Sequence, residues 1–366
     1  MTSLKRITAA LTAAVIMTCT AAGCGSGSGN SSSSPESASV TAAESAEEAP
    51  VKVTLPPAES APDESESTAE ADSSESAESD EAAPYTPAMW KVTSPEGKTI
   101  YMMGSMHALK DECYPLPDYV QAAVDDCEVL AVEYDLTDLN QTLAASLKYN
   151  DKMTYPSGES IHDHISDETW QALCSYLEHY DEDPTAYESM RAWYIYSAIQ
   201  KLPLRDTGLS YDKGFDLNIL NAVHDAGKEV YNVESADFQM KLFFELSDSV
   251  YDILLASYSE DNIKKVNGEL VTSYDSWRAG DIEGLDPADD LDLTNASDEE
   301  KAAAGDFMNK FYFDRNAHMT EAAKELAAGG KKVLFVVGLA HFLGDKGIIA
   351  LLEEDGYTAE RVTEYP

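Results

Sequence analysis

Two histidines in this sequence each stand three residues after a glycine that closes an apolar run: Gly104 and His107 in "YMMGSMHALKD", Gly338 and His341 in "FVVGLAHFLGD". More than two hundred residues separate the pair. Two carboxylates occupy comparable places. Glu133 ends "EVLAV" and Glu234 follows "EVYNV", both strand-like segments. Neutral imidazole together with carboxylate is a mixed nitrogen and oxygen donor set, which suits Mn, Co, Zn or Fe better than Mg or Ca. A metal so held polarises a carbonyl and lowers the pKa of bound water, while a spare Glu serves as general base. The chemistry implied is hydrolysis, most simply of an amide or ester. Spacing does not say which Glu is ligand and which is base.

The elements that must position these residues are readable from the pattern. "AMWKVTSPEGKTIYMMGSMH" predicts a β-hairpin around Pro95-Glu96-Gly97. "DYVQAAVDDCEVLAVEYD" predicts a helix and then a buried strand over 128–133. "NILNAVHDAGKEVYNVES" repeats this grammar, with Gly227 as helix stop and a strand over 229–233. "EAAKELAAGGKKVLFVVGLAH" repeats it again, stopped at Gly329-Gly330, and "IIALLEEDGYTAERVTEYP" is a fourth such unit. Helix alternating with strand predicts an α/β fold: a central, mostly parallel sheet with an N-terminal hairpin. Residues 138–212 and 235–325 read as large helical insertions whose Met and aromatic stripes face a core. In such a sheet, ligands bind at the carboxyl ends of the strands. All four groups fall at that edge. A glycine there lets the backbone turn sharply and approach its neighbours closely, so that the His swings back over the sheet edge.

Other motifs carry less. His162 and His164 in "SIHDHISDETW" read as exposed loop residues before a helix capped by Ser166. His179, His224 and His318 lie in helical stretches. "DPADDLDLTNASDEE" is acidic but lacks the glycine of a calcium loop, and reads as a solvated loop. Arg315 in "FDRN" falls on a helix, where a buried ion pair with a site carboxylate and a surface role are both open. Neither a Gly-x-Ser-x-Gly elbow nor a glycine-rich phosphate loop is present, so serine hydrolase and kinase gain no support.

The first 23 residues read as a signal peptide: Lys5 and Arg6, an apolar run, then small residues. Ala21-Ala22-Gly23-Cys24 resembles a lipobox, which makes Cys24 the expected lipidation site. Residues 24–84 then form a lipidated Cys followed by an acidic Ser, Ala and Glu tether. It has too little apolar surface to offset its conformational entropy. The folded domain is expected over 85–366, on the extracytoplasmic face of a bacterial cell membrane. The net charge of −42 over 366 residues argues against nucleic acid as a partner and against electrostatic attraction to a membrane surface. Cys113, Cys127 and Cys174 remain in the folded part. The absence of Cys-x-x-Cys argues against a thiolate zinc site, and any disulfide pairing among the three stays open.

These blocks resemble the TraB/GumN family, which includes the Tiki proteases. "IYMMGSMHALKDECYPLPDYVQAAVDDCEVLAVEYD", "GFDLNILNAVHDAGKEVYNVES", "WRAGD" and the stretch from "FDRNAHMTEAAKELAAGG" to "LLEEDGY" are similar to its successive blocks. The resemblance spans about 90–365. It implies a membrane-anchored, metal-dependent protease, active with Mn or Co, that requires both Gly-x-x-His motifs. His107, His341 and Glu133 match its site positions. Glu234, Asp216 and Arg315 match further family positions, with Gly214 and Asp216 opening the central helix. The expected activity is therefore a metal-dependent hydrolase acting on a peptide or protein. The alternative is a non-enzymatic surface lipoprotein that binds a peptide, a pheromone or haem.

Overall fold

The computed structural model of the chain describes residues 85–288, 293–294 and 296–366. The expected signal peptide, Cys24 and tether lie outside them, as does part of the acidic loop. Six strands form one sheet: β1 Met89–Thr93, β2 Thr99–Ser105, β3 Val129–Val132, β4 Glu229–Asn232, β5 Val333–Gly338 and β6 Thr358–Val362. Their order is β4-β3-β5-β2-β1-β6. The β4-β3, β3-β5 and β5-β2 pairs are parallel, and β1 runs antiparallel to both β2 and β6. Five strands thus share a direction, with the N-terminal hairpin supplying the one reversal. This is the mostly parallel α/β sheet that the alternating grammar predicts.

The local causes are ordinary. β5 is β-branched and aromatic, and every one of its residues is buried, as a strand covered on both faces requires. The helix Asp118–Asp126 buries Tyr119, Val120, Ala123 and Val124 on one face before β3. Phe215–Asp225 does the same before β4 with Phe215, Ile219, Leu220 and Val223. Asp314–Gly329 precedes β5 and stops at Gly330, whose φ of 77° is left-handed. The edge strand β4 is half-exposed along its length. A second core lies within the helical insertions, built on Tyr176, Tyr196, Tyr251, Tyr258 and Phe311.

Cys113, Cys127 and Cys174 are unpaired thiols. Cys113 lies against the Tyr274 hydroxyl at 3.3 Å, and Cys127 donates to the Val124 carbonyl. His164 differs from expectation. Its ring stacks on Tyr155 at 3.9 Å and its Nδ1 lies 2.8 Å from the Asp248 carboxylate. A helix more than eighty residues downstream, Asp248–Leu255, supplies that partner, so the loop is packed rather than free. His162 is exposed as expected.

Candidate functional site

Strands β4, β3, β5 and β2 are consecutive neighbours in the sheet, so their carboxyl ends line up side by side. Glu234 follows β4, Glu133 follows β3, His341 follows β5 and His107 follows β2. The Glu234 N–H donates to the Glu133 carbonyl at 2.7 Å, which locks the two exits together. The repeated Gly-x-x-His pattern sits on adjacent parallel strands, with Ser105 level with Gly338. Space, more than turning, explains the glycines. Gly104 lies inside β2, where a Cβ would fall 2.4 Å from Leu339 Cδ1 and 2.8 Å from its Cα. The β5 exit crosses there, and only glycine admits it. Gly338 has φ −51°, open to any residue. Its N–H donates to Glu133 Oε1 at 2.8 Å.

Each histidine has one ring nitrogen engaged and one turned elsewhere. His107 Nδ1 lies 2.8 Å from Asp216 Oδ2. Asp216 is in the first turn of Phe215–Asp225. Gly214 seats that helix against the His107 loop: a Cβ there would fall 2.1 Å from the His107 carbonyl oxygen. Burial disfavours a charged imidazole at His107, but the Asp216 carboxylate outweighs it and raises the pKa to about 9. His341 Nδ1 lies 2.6 Å from Asn316 Oδ1, while Asn316 Nδ2 donates to the Lys346 carbonyl at 2.8 Å. The amide orientation is therefore fixed, and His341 Nδ1 is the protonated nitrogen. Burial, seconded by the nearby Arg315, lowers the His341 pKa to about 3. A neutral His341 keeps an Nε2 lone pair, which faces Glu133 Oε1 at 3.9 Å, too far for a hydrogen bond.

The carboxylates are held by two residues from different helices. Arg315 Nε donates to Glu234 Oε1 at 2.8 Å. Its Nη2 is shared between Glu234 Oε2 at 2.9 Å and Glu133 Oε2 at 2.7 Å. Gln239 Nε2 donates to the same two Oε2 atoms, at 2.7 and 2.8 Å. Both Glu234 oxygens are thus occupied, whereas Glu133 Oε1 accepts only the Gly338 N–H. Burial opposes charge at Glu133, yet Arg315 overrides it and holds the carboxyl well below the usual range. Arg315 follows a π-helical turn, Asn309–Phe313, and its Nη1 donates to the Phe311 carbonyl. Such turns interrupt helices most often where a functional side chain must be re-aimed.

Every residue singled out from the sequence, His107, His341, Glu133, Glu234, Asp216 and Arg315, converges on this edge. Asp135, two residues past Glu133, lies outside the cluster and accepts from Thr137, with His224 Nε2 2.7 Å away. Gln239 and Asn316 belong to the site but carried no motif. The only trace of Asn316 is its place beside Arg315 on a helix that packs across the strand ends. The donor set fits a divalent ion in part. Two donors of one ion, each about 2.0–2.2 Å from it, stand up to about 4 Å apart, a span that includes the His341–Glu133 separation. The Nδ1 atoms of both histidines rest on acceptors, as metal-bound imidazoles do. Glu234 does not fit, because Arg315 occupies it. Among the described residues, no group of three or more His, Cys, Asp or Glu is already gathered at metal-holding distances.

The TraB/PrgY/gumN family model matches residues 88–361. The chain is 24% identical over 195 residues to the uncharacterized protein YbaP of Escherichia coli strain K12, covering 53% of this chain and 69% of that protein. The Shigella flexneri YbaP matches with the same identity and coverage. No solved structure matches.

Proposed function

Since the chain belongs to the TraB/PrgY/gumN family, we propose that this strand edge is the active site of a metal-dependent hydrolase, a peptidase in its simplest form. The same reading places it on the extracytoplasmic face of the membrane, lipid-anchored through Cys24. The observation that carries it is the matched hold on the two rings: Asp216 and Asn316 each take an Nδ1, which leaves the His341 Nε2 lone pair 3.9 Å from Glu133 Oε1 and leaves the His107 Nε2 for an ion that displaces the proton Asp216 stabilises there. These three residues would hold the ion, Mn or Co first, Zn or Fe next. When bound, such an ion supplies a polarised carbonyl and a water of lowered pKa.

The chain's own residues have distinct parts in this reading. Asp216 fixes the His107 ring and gives its Nδ1 proton an acceptor. Asn316 does the same for His341 without adding charge. Glu133 is the one strand-exit carboxylate with an oxygen free enough to be ligand or base. Arg315 offsets part of the charge of Glu133 and Glu234, and with Gln239 holds both carboxylates in place. Glu234 is then a positioning residue, not a ligand. The test is elemental analysis of the full chain purified without a His tag, beside His107→Ala/His341→Ala. Near-stoichiometric metal in the wild type alone, with chelator-sensitive cleavage of a peptide library, is the expected result. Absence of metal after reconstitution with Mn, Co, Zn and Fe sinks the reading.

One observation favours a second reading. Arg315 already pairs with both carboxylates, so the edge has a cation of its own. A non-enzymatic lipoprotein that captures a peptide, pheromone or haem would show stoichiometric binding without turnover. For haem, a Soret band lost in His107→Ala would mark it.

A further inference from the structure

The last residue of β2 carries a hydroxyl that has no part in the contacts described so far. Ser105 is 4% exposed, and among the described residues its Oγ has no hydrogen-bond partner. Such an atom is uncommon, because a buried hydroxyl without a partner has lost its bonds to water and gained none. Other buried hydroxyls of this chain find a carbonyl in the preceding turn. Ser257 donates to Leu254 at 2.6 Å and Thr320 to Asn316 at 2.7 Å. A strand offers no such carbonyl, since its own point sideways into the ladder.

The register says which way Ser105 faces. It is level with Gly338 on the neighbouring parallel strand, and level residues of a sheet project to the same face. On that face a Cβ at Gly338 would fall 3.3 Å from Glu133 Oε1 and 3.6 Å from His341 Cδ2. A Cβ at Gly104, one residue earlier than Ser105, would point to the opposite face, against Leu339. β5 lies between β2 and β3, so Ser105 and Glu133 flank Gly338 from either side. The Gly338 backbone admits any residue, and its missing side chain is what leaves a gap between them. Ser105 stands about one strand spacing, roughly 4.8 Å, from the floor of that gap.

We propose that the gap seats the carbonyl oxygen of the substrate's amide or ester, and that the Ser105 O–H donates to it. The other donors around Glu133 are engaged. Gln239 Nε2 serves both carboxylates, Arg315 turns its Nε and Nη2 to the same pair and its Nη1 to Phe311, and the Gly338 N–H rests on Glu133. A carbonyl under attack gathers negative charge on its oxygen, and a donor already held in a buried site stabilises that charge. Ser105 is then a catalytic residue that touches substrate. This deepens the hydrolase reading and rests on it.

The test uses the full chain and Ser105→Ala, with Ser257→Ala as a control that loses a hydrogen bond already made. Urea unfolding of the metal-free proteins comes first. Ser105→Ala should keep the wild-type midpoint or raise it, whereas Ser257→Ala should lower it. Wild type and Ser105→Ala are then loaded with Co, assayed for metal content and titrated calorimetrically with acetohydroxamate, whose carbonyl oxygen stands in for that of the substrate. Equal metal content, with hydroxamate bound at least about threefold more weakly by Ser105→Ala, is the expected result. A lowered midpoint for Ser105→Ala overturns the inference, because the hydroxyl then has a structural partner. Lower metal content overturns it too, because the hydroxyl then serves the ion. Equal hydroxamate affinity in fully loaded proteins removes this inference alone, whereas a wild type that takes up no metal removes the hydrolase reading and this inference with it.

Discussion

Replacing Arg315 with methionine keeps much of the side chain's length and removes its charge. Arg315 is 4% exposed, and its hydrogen bonds run to Glu234 Oε1, Glu234 Oε2, Glu133 Oε2 and the Phe311 carbonyl. Without it, two carboxylates remain at adjacent strand exits with Gln239 as their shared donor. Breaking a buried pair by deleting one partner costs about 3–5 kcal/mol, because the charge left behind is uncompensated. The loss has a definite pH dependence. In the wild type the Glu133 carboxyl is depressed by Arg315. Its contribution to stability is present above the unfolded carboxyl pKa of about 4.3 and is lost as pH falls through the folded value. In Arg315→Met the largest charge opposing burial is gone, leaving the Gly338 N–H and the nearby histidines against it, so the carboxyl pKa rises and the variant gains relative stability on acidification. Urea unfolding at pH 7 and pH 4, compared at constant m, should show a deficit of several kcal/mol at pH 7 that shrinks at pH 4. A deficit under about 1 kcal/mol at pH 7, or one that grows on acidification, refutes the argument that Arg315 is the counter-charge holding this edge together.

Asn316→Leu should release the His341 ring: nitrogen-detected NMR should read a mixture of tautomers where the wild type has Nδ1–H alone, with about 1–3 kcal/mol of stability lost through the unpaired buried groups. For His107, the pKa raised to about 9 by Asp216 means that the pair's stabilisation is complete below the unfolded His pKa of about 6.5 and is lost as pH rises through about 9. An Asp216→Asn variant should therefore show a lower His107 pKa by proton NMR titration and a deficit that is larger at pH 6 than at pH 10. Gly214→Ala should unfold the site or the domain, since the new Cβ would meet the His107 carbonyl oxygen at 2.1 Å. Gly305→Ala, inside the helix Asp298–Met308 with nothing within 4 Å of the new Cβ, should instead gain about 0.5–1 kcal/mol in thermal or urea unfolding.

The strands and their exits are legible because alternation of helix and strand, stopped by glycines such as Gly227 and Gly330, leaves few topologies open. Arg315 is legible as a helical residue, and its partners are not: an arginine more than twenty residues before the nearest predicted strand exit reveals nothing of which carboxylates it will meet. Gln239 and Asn316 are invisible for a different reason. Amides on helices are common surface residues, and only packing of those helices across the strand ends turns them inward. His164 escapes in the same way, since Asp248 is brought to it by a tertiary contact with no sequence pattern of its own. The glycines of the two Gly-x-x-His motifs are legible as close-approach positions. That Gly104 sits within a strand rather than at a turn follows only from the crossing of Leu339.

β5 lies between β2 and β3 in the sheet, yet residues 333–338 are made some two hundred residues after β3. During synthesis the hairpin β1-β2 and the pair β3-β4 exist first, each with an open edge waiting for the same strand. Their joining must bring together parts of the chain far apart in sequence, a slow step that leaves strand edges exposed to wrong partners meanwhile. The strand that bridges them also delivers His341 and the Gly338 N–H that orients Glu133. A chain that stops short of β5 lacks His341 and the Gly338 N–H, so the candidate site is completed only with the strand that completes the sheet.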